Sequence, residues 1–113
     1  VGRAPPPLRL LAPPPALAPP WPTLLVAVRV RPGTTEFVIA PGSRSTPLVF
    51  AAVQHAATHV ALCHDERGAG FYGVGYGRAT GKPAAVITTS GTAVANLLPA
   101  VIDRLTKASA PRP

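Results

Sequence analysis

The chain has 113 residues, among them 16 prolines, 11 Lys/Arg and only 4 Asp/Glu, for a net charge of +7. The positive excess lies wholly in the flanks. Arg3, Arg9, Arg29 and Arg31 precede residue 36, Arg104, Lys107 and Arg112 follow residue 103, and the charges between cancel. No stretch interleaves aromatics with Lys/Arg, so a basic, unstructured flank is favoured over a nucleic-acid-binding role despite the high isoelectric point.

This length allows a single domain at most, and only the middle of the chain has a packed domain's composition. One cysteine, Cys63, rules out an internal disulfide framework. Its neighbours Ala61 and Leu62 point to a buried thiol. The apolar run Leu24–Val28 is far short of the ~20 residues that a membrane span needs. An acid-free, Arg-containing start suits a transit peptide, but residues 1–35 contain no serine, so that signal is weak.

Residues 1–32 read as a Pro-rich, low-complexity block. Nine prolines in residues 1–22 remove amide donors and fix φ, so no helix or strand is expected to propagate there. The functional reading is a ligand for aromatic-groove modules. The plainer reading, a linker, is favoured.

From Gly33 the pattern changes. Glu36–Ala40 (EFVIA) reads as a short apolar strand, and Pro41–Ser45 (PGSRS) as a loop. Thr46–Ala57 reads as a helix capped by Ser45 or Thr46, with Pro47 in its first turn. His59–His64 (HVALCH) is a second strand. Glu66–Thr80 is a glycine-heavy helix closed by Gly81. Ala84–Thr88 is a third strand, Ser90–Thr92 a loop and Ala93–Leu105 a third helix. Residues 104–113 read as an unstructured tail.

Strand, loop and helix therefore recur three times. Apolar strands alternating with helices imply an α/β fold, a parallel sheet covered on both faces. In such sheets ligands bind at the carboxyl ends of the strands. The loops PGSRS, DERG and TSGT are thus expected on one rim.

Gly68-Ala-Gly70-Phe-Tyr-Gly73 is a literal G-x-G-x-x-G, but no acid lies between Glu66 and Asp103 to hold a ribose. The glycines also fall inside the helix. The dinucleotide reading is rejected in favour of packing, with Gly70, Gly73 and Gly77 on one face for a close backbone approach. Glu66 is either an early-helix charge opposing the helix dipole or a proton-handling carboxylate tuned by burial. Position alone favours the first, and Asp65 and Arg67 share the ambiguity. Ser43 and Arg44, beside Gly42, suit a carboxylate or phosphate, or else a cap and a surface arginine. Thr89, Ser90 and Gly91 could cradle an anion or merely cap the next helix, and no Walker lysine is present. His55, His59 and His64 have no metal-site spacing and read as ordinary.

The segments Ala40–Leu48, Asp65–Phe71 and Thr89–Leu97, in this order and spacing, resemble the thiamine-diphosphate-dependent 2-succinyl-5-enolpyruvyl-6-hydroxy-3-cyclohexene-1-carboxylate synthases of menaquinone and phylloquinone synthesis. The resemblance runs from about Gly33 to Asp103. It implies a partial thiamine-diphosphate-binding fold over 33–103, the pyrimidine-binding part of such an enzyme. It further implies that Glu66 is catalytic and protonates the cofactor's aminopyrimidine. Ser43 and Arg44 would bind substrate carboxylates. Pro41, Gly42, Thr89, Ser90 and Gly91 would line the cofactor with Glu66. The implied substrates are 2-oxoglutarate and isochorismate, with magnesium held by a domain outside this chain. A homodimer would complete the site and explain the glycine face. The compartment would be a plastid for a photosynthetic eukaryote or the cytoplasm for a bacterium.

The departures are the Pro-rich block where the family has a helix, and the loss of likeness after Asp103. By itself the chain is expected not to be a competent enzyme. A fragment of an acetolactate-synthase-like enzyme, or a non-catalytic Pro-rich interaction protein, are the competing readings. The Ser43-Arg44-Ser45 triplet argues against the acetolactate-synthase-like relatives.

Overall fold

The computed structural model describes residues 20–108. The linker-or-ligand reading of residues 1–19 and the reading of 109–113 lie outside the described residues. The elements are α1 (Pro20–Val30), β1 (Glu36–Ile39), a 3₁₀ turn (Ser43–Ser45), α2 (Thr46–Gln54), β2 (His59–Leu62), α3 (Glu66–Thr80), β3 (Ala84–Ile87), α4 (Thr92–Ala95) and α5 (Leu98–Ala108).

The three strands form one parallel sheet in the order β2-β1-β3. The α/β expectation and the three strand positions hold. Every residue of β1 is buried, as a strand covered on both faces must be. Its side chains alternate between two cores. Phe37 and Ile39 pack with Val26 of α1, Ala51 and Ala52 of α2, and Ile87. Val38 and Ala40 pack on the opposite face with Ala69 of α3. The result is three layers, with α1 and α2 on one side and α3 and α5 on the other.

Three expectations need correcting. First, residues 20–30 are helical, inside the block expected to be without structure. Pro20 and Pro22 stand in the first turn, where a missing amide costs nothing because those amides have no intrahelical partner. After Pro22 no proline intervenes until Pro32, so Leu24–Val30 propagates freely. The helix before the first strand is therefore present, and Val26 is one of its core residues. Second, the third helix is broken. It turns at Asn96 and Leu97, and Pro99 sits in the first turn of α5. A proline deep in one continuous helix would clash with the carbonyl four residues back. Third, α5 runs on to Ala108, through residues expected to be tail.

Helix α2 also ends earlier than expected, at Gln54. The Thr58 hydroxyl donates to the carbonyls of Ala52 and His55, and the Ala57 amide donates to His55 Nδ1. These side chains satisfy the groups that would have carried the helix on.

The glycine face of α3 does allow a close approach within the chain. A Cβ on Gly70 would lie 2.9 Å from Ala100 Cβ of α5, and one on Gly73 3.3 Å from Val86 of β3. Gly81, with φ +72°, closes α3 as expected.

Glu36, at the amino end of β1, is 5% exposed. A buried carboxylate must be hydrogen-bonded. Its Oε1 accepts from the Tyr72 hydroxyl of α3 at 2.8 Å, and its Oε1 and Oε2 accept from His59 Nδ1 of β2 at 3.0 and 2.8 Å. Three elements are thereby tied through one side chain. His59 is accordingly not the ordinary residue its spacing suggests.

The hydrogen bond to the Glu36 carboxylate holds the Tyr72 phenol above its ordinary range, with partial burial acting the same way. A group whose proton is bound more tightly when folded stabilises the fold below its unfolded pKa and loses that contribution as pH rises through the folded value. Stability is therefore expected to fall above about pH 10, and Tyr72→Phe should remove part of that alkaline loss. Urea unfolding midpoints measured against pH for the two chains check this.

Candidate functional site

All three strands are parallel, so their following loops emerge on one rim, as expected. After β1 the chain turns to α2 on one face. After β3 it turns to α4 and α5 on the other. The gap between the carboxyl ends of β1 and β3 is thus a topological switch point, where open α/β sheets bind ligands.

The first and third loops meet there. Gly42 has extended backbone, so its conformation does not demand glycine. Its neighbour does, since a Cβ would lie 2.3 Å from Thr89 Cβ and 2.7 Å from Thr89 Cγ2. Arg44 Nη1 donates to Ser90 Oγ at 2.9 Å, bridging the same two loops. The first loop is braced from within. Ser45 Oγ donates to the Gly42 carbonyl at 3.0 Å, and Thr46 Oγ1 donates to the Ser43 carbonyl at 2.8 Å. Neither hydroxyl caps α2 through its side chain, so the Ser45-or-Thr46 cap takes a different form. The third loop turns at Gly91, where φ is +79°, a conformation L side chains rarely adopt.

The second loop resolves an ambiguity. Asp65 is the cap of α3, its Oδ1 accepting from the Arg67 amide at 2.9 Å. The Arg67 guanidinium also donates to both Asp65 oxygens, at 3.3 and 3.0 Å. The Arg67 side chain, then its amide, hold the Asp65 carboxyl below its ordinary range. Asp65 and Arg67 thus have structural employment. Glu66, half-buried in the first turn of α3, makes no side-chain hydrogen bond among the described residues.

The structure therefore brings Gly42, Arg44, Thr89 and Ser90 into contact. Pro41, Ser43 and Gly91 stand exposed beside them. Glu66 lies on the same rim, at the end of β2. The rim offers a guanidinium, several hydroxyls and a carboxylate that makes no side-chain hydrogen bond among the described residues. That set suits a ligand carrying both an anionic group and a protonatable nitrogen. Sequence reading missed the Gly42–Thr89 contact, because no local pattern announces a contact between two loops. It also missed the cap, although Asp65 immediately before a helix was signal enough.

Among the described residues no helix is long and apolar enough to cross a membrane, and no three His, Cys, Asp or Glu side chains are grouped to hold a metal.

Gly42→Ala is expected to force the two loops apart, at a cost of about 1–3 kcal/mol from overpacking. Loss of the Arg44–Ser90 contact should accompany it, read as faster amide exchange at Ser90 and Gly91. Thr89→Ser in the same chain removes the facing methyl and should recover part of the loss.

Residues 23–110 match the family described as thiamine pyrophosphate enzyme, N-terminal TPP binding domain. The match takes in most of α1 and all of α5. Curated relatives carry the name 2-succinyl-5-enolpyruvyl-6-hydroxy-3-cyclohexene-1-carboxylate synthase. The one from Rubrobacter xylanophilus is 55% identical over 86 residues, covering 76% of this chain and 15% of the relative. Those from Psychromonas ingrahamii and Chlorobium phaeobacteroides are 54% and 52% identical over 83 residues, each covering 74% of this chain and 14% of the relative. The chain thus spans about one-seventh of the length of these relatives.

Proposed function

The chain belongs to the thiamine pyrophosphate enzyme family, and from that premise we propose that it is the pyrimidine-binding part of a synthase that decarboxylates 2-oxoglutarate and adds the succinyl unit to isochorismate. The observation that carries this reading is the rim. Three loops that resemble those of the synthases lie on one rim, two of them meet at the switch point, and Glu66 on that rim makes no side-chain hydrogen bond among the described residues.

The donor set fits thiamine diphosphate. Glu66 would hold a proton at a ring nitrogen of the aminopyrimidine. Its place at the head of α3, with capping left to Asp65, keeps the carboxylate available. Pro41, Gly42, Thr89, Ser90 and Gly91 would line the cofactor. The tight Gly42–Thr89 contact closes the floor between β1 and β3 and shapes that lining. When bound, the cofactor supplies stabilisation for the negative charge left as a 2-oxo acid loses carbon dioxide.

Ser43 and Arg44 would bind substrate carboxylates. Both are exposed on the rim, and Arg44 is already oriented by Ser90. A guanidinium held in one direction loses less freedom when it grips a carboxylate. The remaining parts of the reaction lie outside this chain. We assign magnesium and the diphosphate to the portion of the relatives that it does not span. A homodimer completing the site is part of the same proposal. The isolated chain is expected to be inactive, and the domain limits follow the folded segment, from α1 to the end of α5.

The test is a chimera in which residues 20–108 replace the matched segment of the Rubrobacter xylanophilus relative. It should consume 2-oxoglutarate in the presence of isochorismate only when thiamine diphosphate is added. Glu66→Gln should lower kcat by about 10²–10⁴, and Arg44→Ala should mainly raise KM for a carboxylate substrate. Undiminished turnover in the Glu66→Gln chimera would remove Glu66 from the mechanism. Pyruvate consumed in preference to 2-oxoglutarate would move the chain to a different synthase.

A further inference from the structure

Helix α3 carries Glu66 in its first turn and has few side chains with which to grip the sheet. Gly68, Gly70, Gly73, Gly75 and Gly77 make up a third of its 15 residues. Glycine presents no side chain to lock a helix against its neighbour. The buried residues of α3 are Ala69 and Gly70, and Ala69 packs with Val38 and Ala40 of β1. Elsewhere α3 is joined to α5. Gly70 lies against Ala100, and the Arg78 guanidinium donates to Asp103. Those contacts bind α3 to α5 and leave the placement of the pair on the sheet to other groups. Apolar contact is non-directional, so Ala69 does not fix that placement by itself.

Tyr72 stands six residues after Glu66, about 9 Å along the helix axis. Its hydroxyl donates to Glu36 Oε1 of β1 at 2.8 Å. Glu36 is held in turn. His59 Nδ1 of β2 lies 3.0 and 2.8 Å from its two oxygens, which fixes the plane of the carboxylate and aims Oε1 at the phenol. The helix is thus pinned to two strands through directional bonds. A buried charge is a weak source of stability, since an apolar residue of similar size often does as well. What Glu36 adds is the selection of one placement of the helix among several.

We infer that Tyr72 and Glu36 are positioning residues for Glu66: their hydrogen bond sets where α3 stands on the sheet, and thereby where the Glu66 carboxylate stands on the rim. The effect on turnover rests on the reading of Glu66 proposed above, and the effect on its placement does not.

The other two rim loops do not share this dependence. Arg44 meets Ser90, Gly42 meets Thr89, and Ser45 and Thr46 brace the first loop from within. None of these contacts involves α3. A shift of α3 therefore moves Glu66 against two loops that stay in place. Substrate carboxylates, assigned to Ser43 and Arg44, would be gripped as before, while the proton-handling carboxylate would be misplaced. Proton transfer needs its heavy atoms within hydrogen-bond reach, and a displacement of about 1 Å is enough to slow turnover.

Tyr72→Phe removes the hydroxyl and keeps the ring. In the chimera carrying residues 20–108 it should lower kcat by roughly 10- to 100-fold and leave KM for 2-oxoglutarate within about twofold. Placed in the Glu66→Gln chimera, the same change should lower kcat by no more than about twofold further, because the group it positions is gone. Glu36→Gln keeps an acceptor for the phenol and should retain most of the turnover that Glu36→Val loses. This pair decides the matter should Tyr72→Phe misfold. In the full 113-residue chain, the carboxyl-carbon NMR resonance of Glu66 should move in Tyr72→Phe and in Glu36→Val and stay in Glu36→Gln. A role in stability alone would lower the unfolding midpoint and leave both kcat and that resonance where they were. Unchanged kcat in Tyr72→Phe, an equal loss in the Glu66→Gln background, or an unmoved Glu66 resonance would overturn the inference. Full turnover in the Glu66→Gln chimera would overturn the reaction assigned above, with the resonance still deciding the placement.

Discussion

Strand β1 is hydrogen-bonded along both edges and packed against helices on both faces, and the placement of every site residue follows from that. A central parallel strand has no solvent-facing side, so EFVI must be apolar at three of its four positions and must hydrogen-bond the fourth. The two neighbouring strands are reached by crossovers on opposite faces. That divergence opens the gap at the carboxyl ends of β1 and β3, and it throws the PGSRS and TSGT loops against each other across it. The Gly42–Thr89 contact and the Arg44–Ser90 hydrogen bond are consequences of this topology.

The two ends of the sheet treat polar groups in opposite ways. At the amino end, Glu36 is buried and its oxygens are taken up by Tyr72 and His59. It ties β1, β2 and α3 together and is left with little capacity to act on anything else. At the carboxyl end, Asp65 caps α3 and pairs with Arg67, while Glu66 beside it in the first turn makes no side-chain hydrogen bond among the described residues. A folded chain satisfies its buried polar groups.

The two faces of the sheet are also unequal. The α1–α2 side closes over Phe37, Ile39 and Ile87 with Val26, Ala51 and Ala52. The α3–α5 side depends on Gly70, which lets α5 approach through Ala100. Glycine inside a helix is unfavourable by ~1 kcal/mol relative to alanine, and the close packing of α5 offsets that cost. The same arrangement tilts α5 over the edge of β3 without filling the space beneath it.

Much of this was legible in the sequence by itself. Three short apolar runs and the helical segments between them fixed an α/β fold with one rim, because strand burial and helix periodicity are local properties of the chain. Gly81 as the end of α3, and the identity of the three rim loops, were equally local. The helix at Pro20–Val30 was not legible, because proline is a breaker in every position except the first turn, and composition does not reveal which turn it occupies. Nor was the break before Pro99 read, although its cause is local. What only the tertiary structure decided were relations between distant segments. These are the choice of β1 as the centre, the need for glycine at position 42, the pairing of Asp65 with the Arg67 side chain, and the burial of Glu36 beneath Tyr72 and His59. Each depends on which side chain arrives opposite another, and that is set by the crossovers and their common hand, which no local stretch of residues encodes.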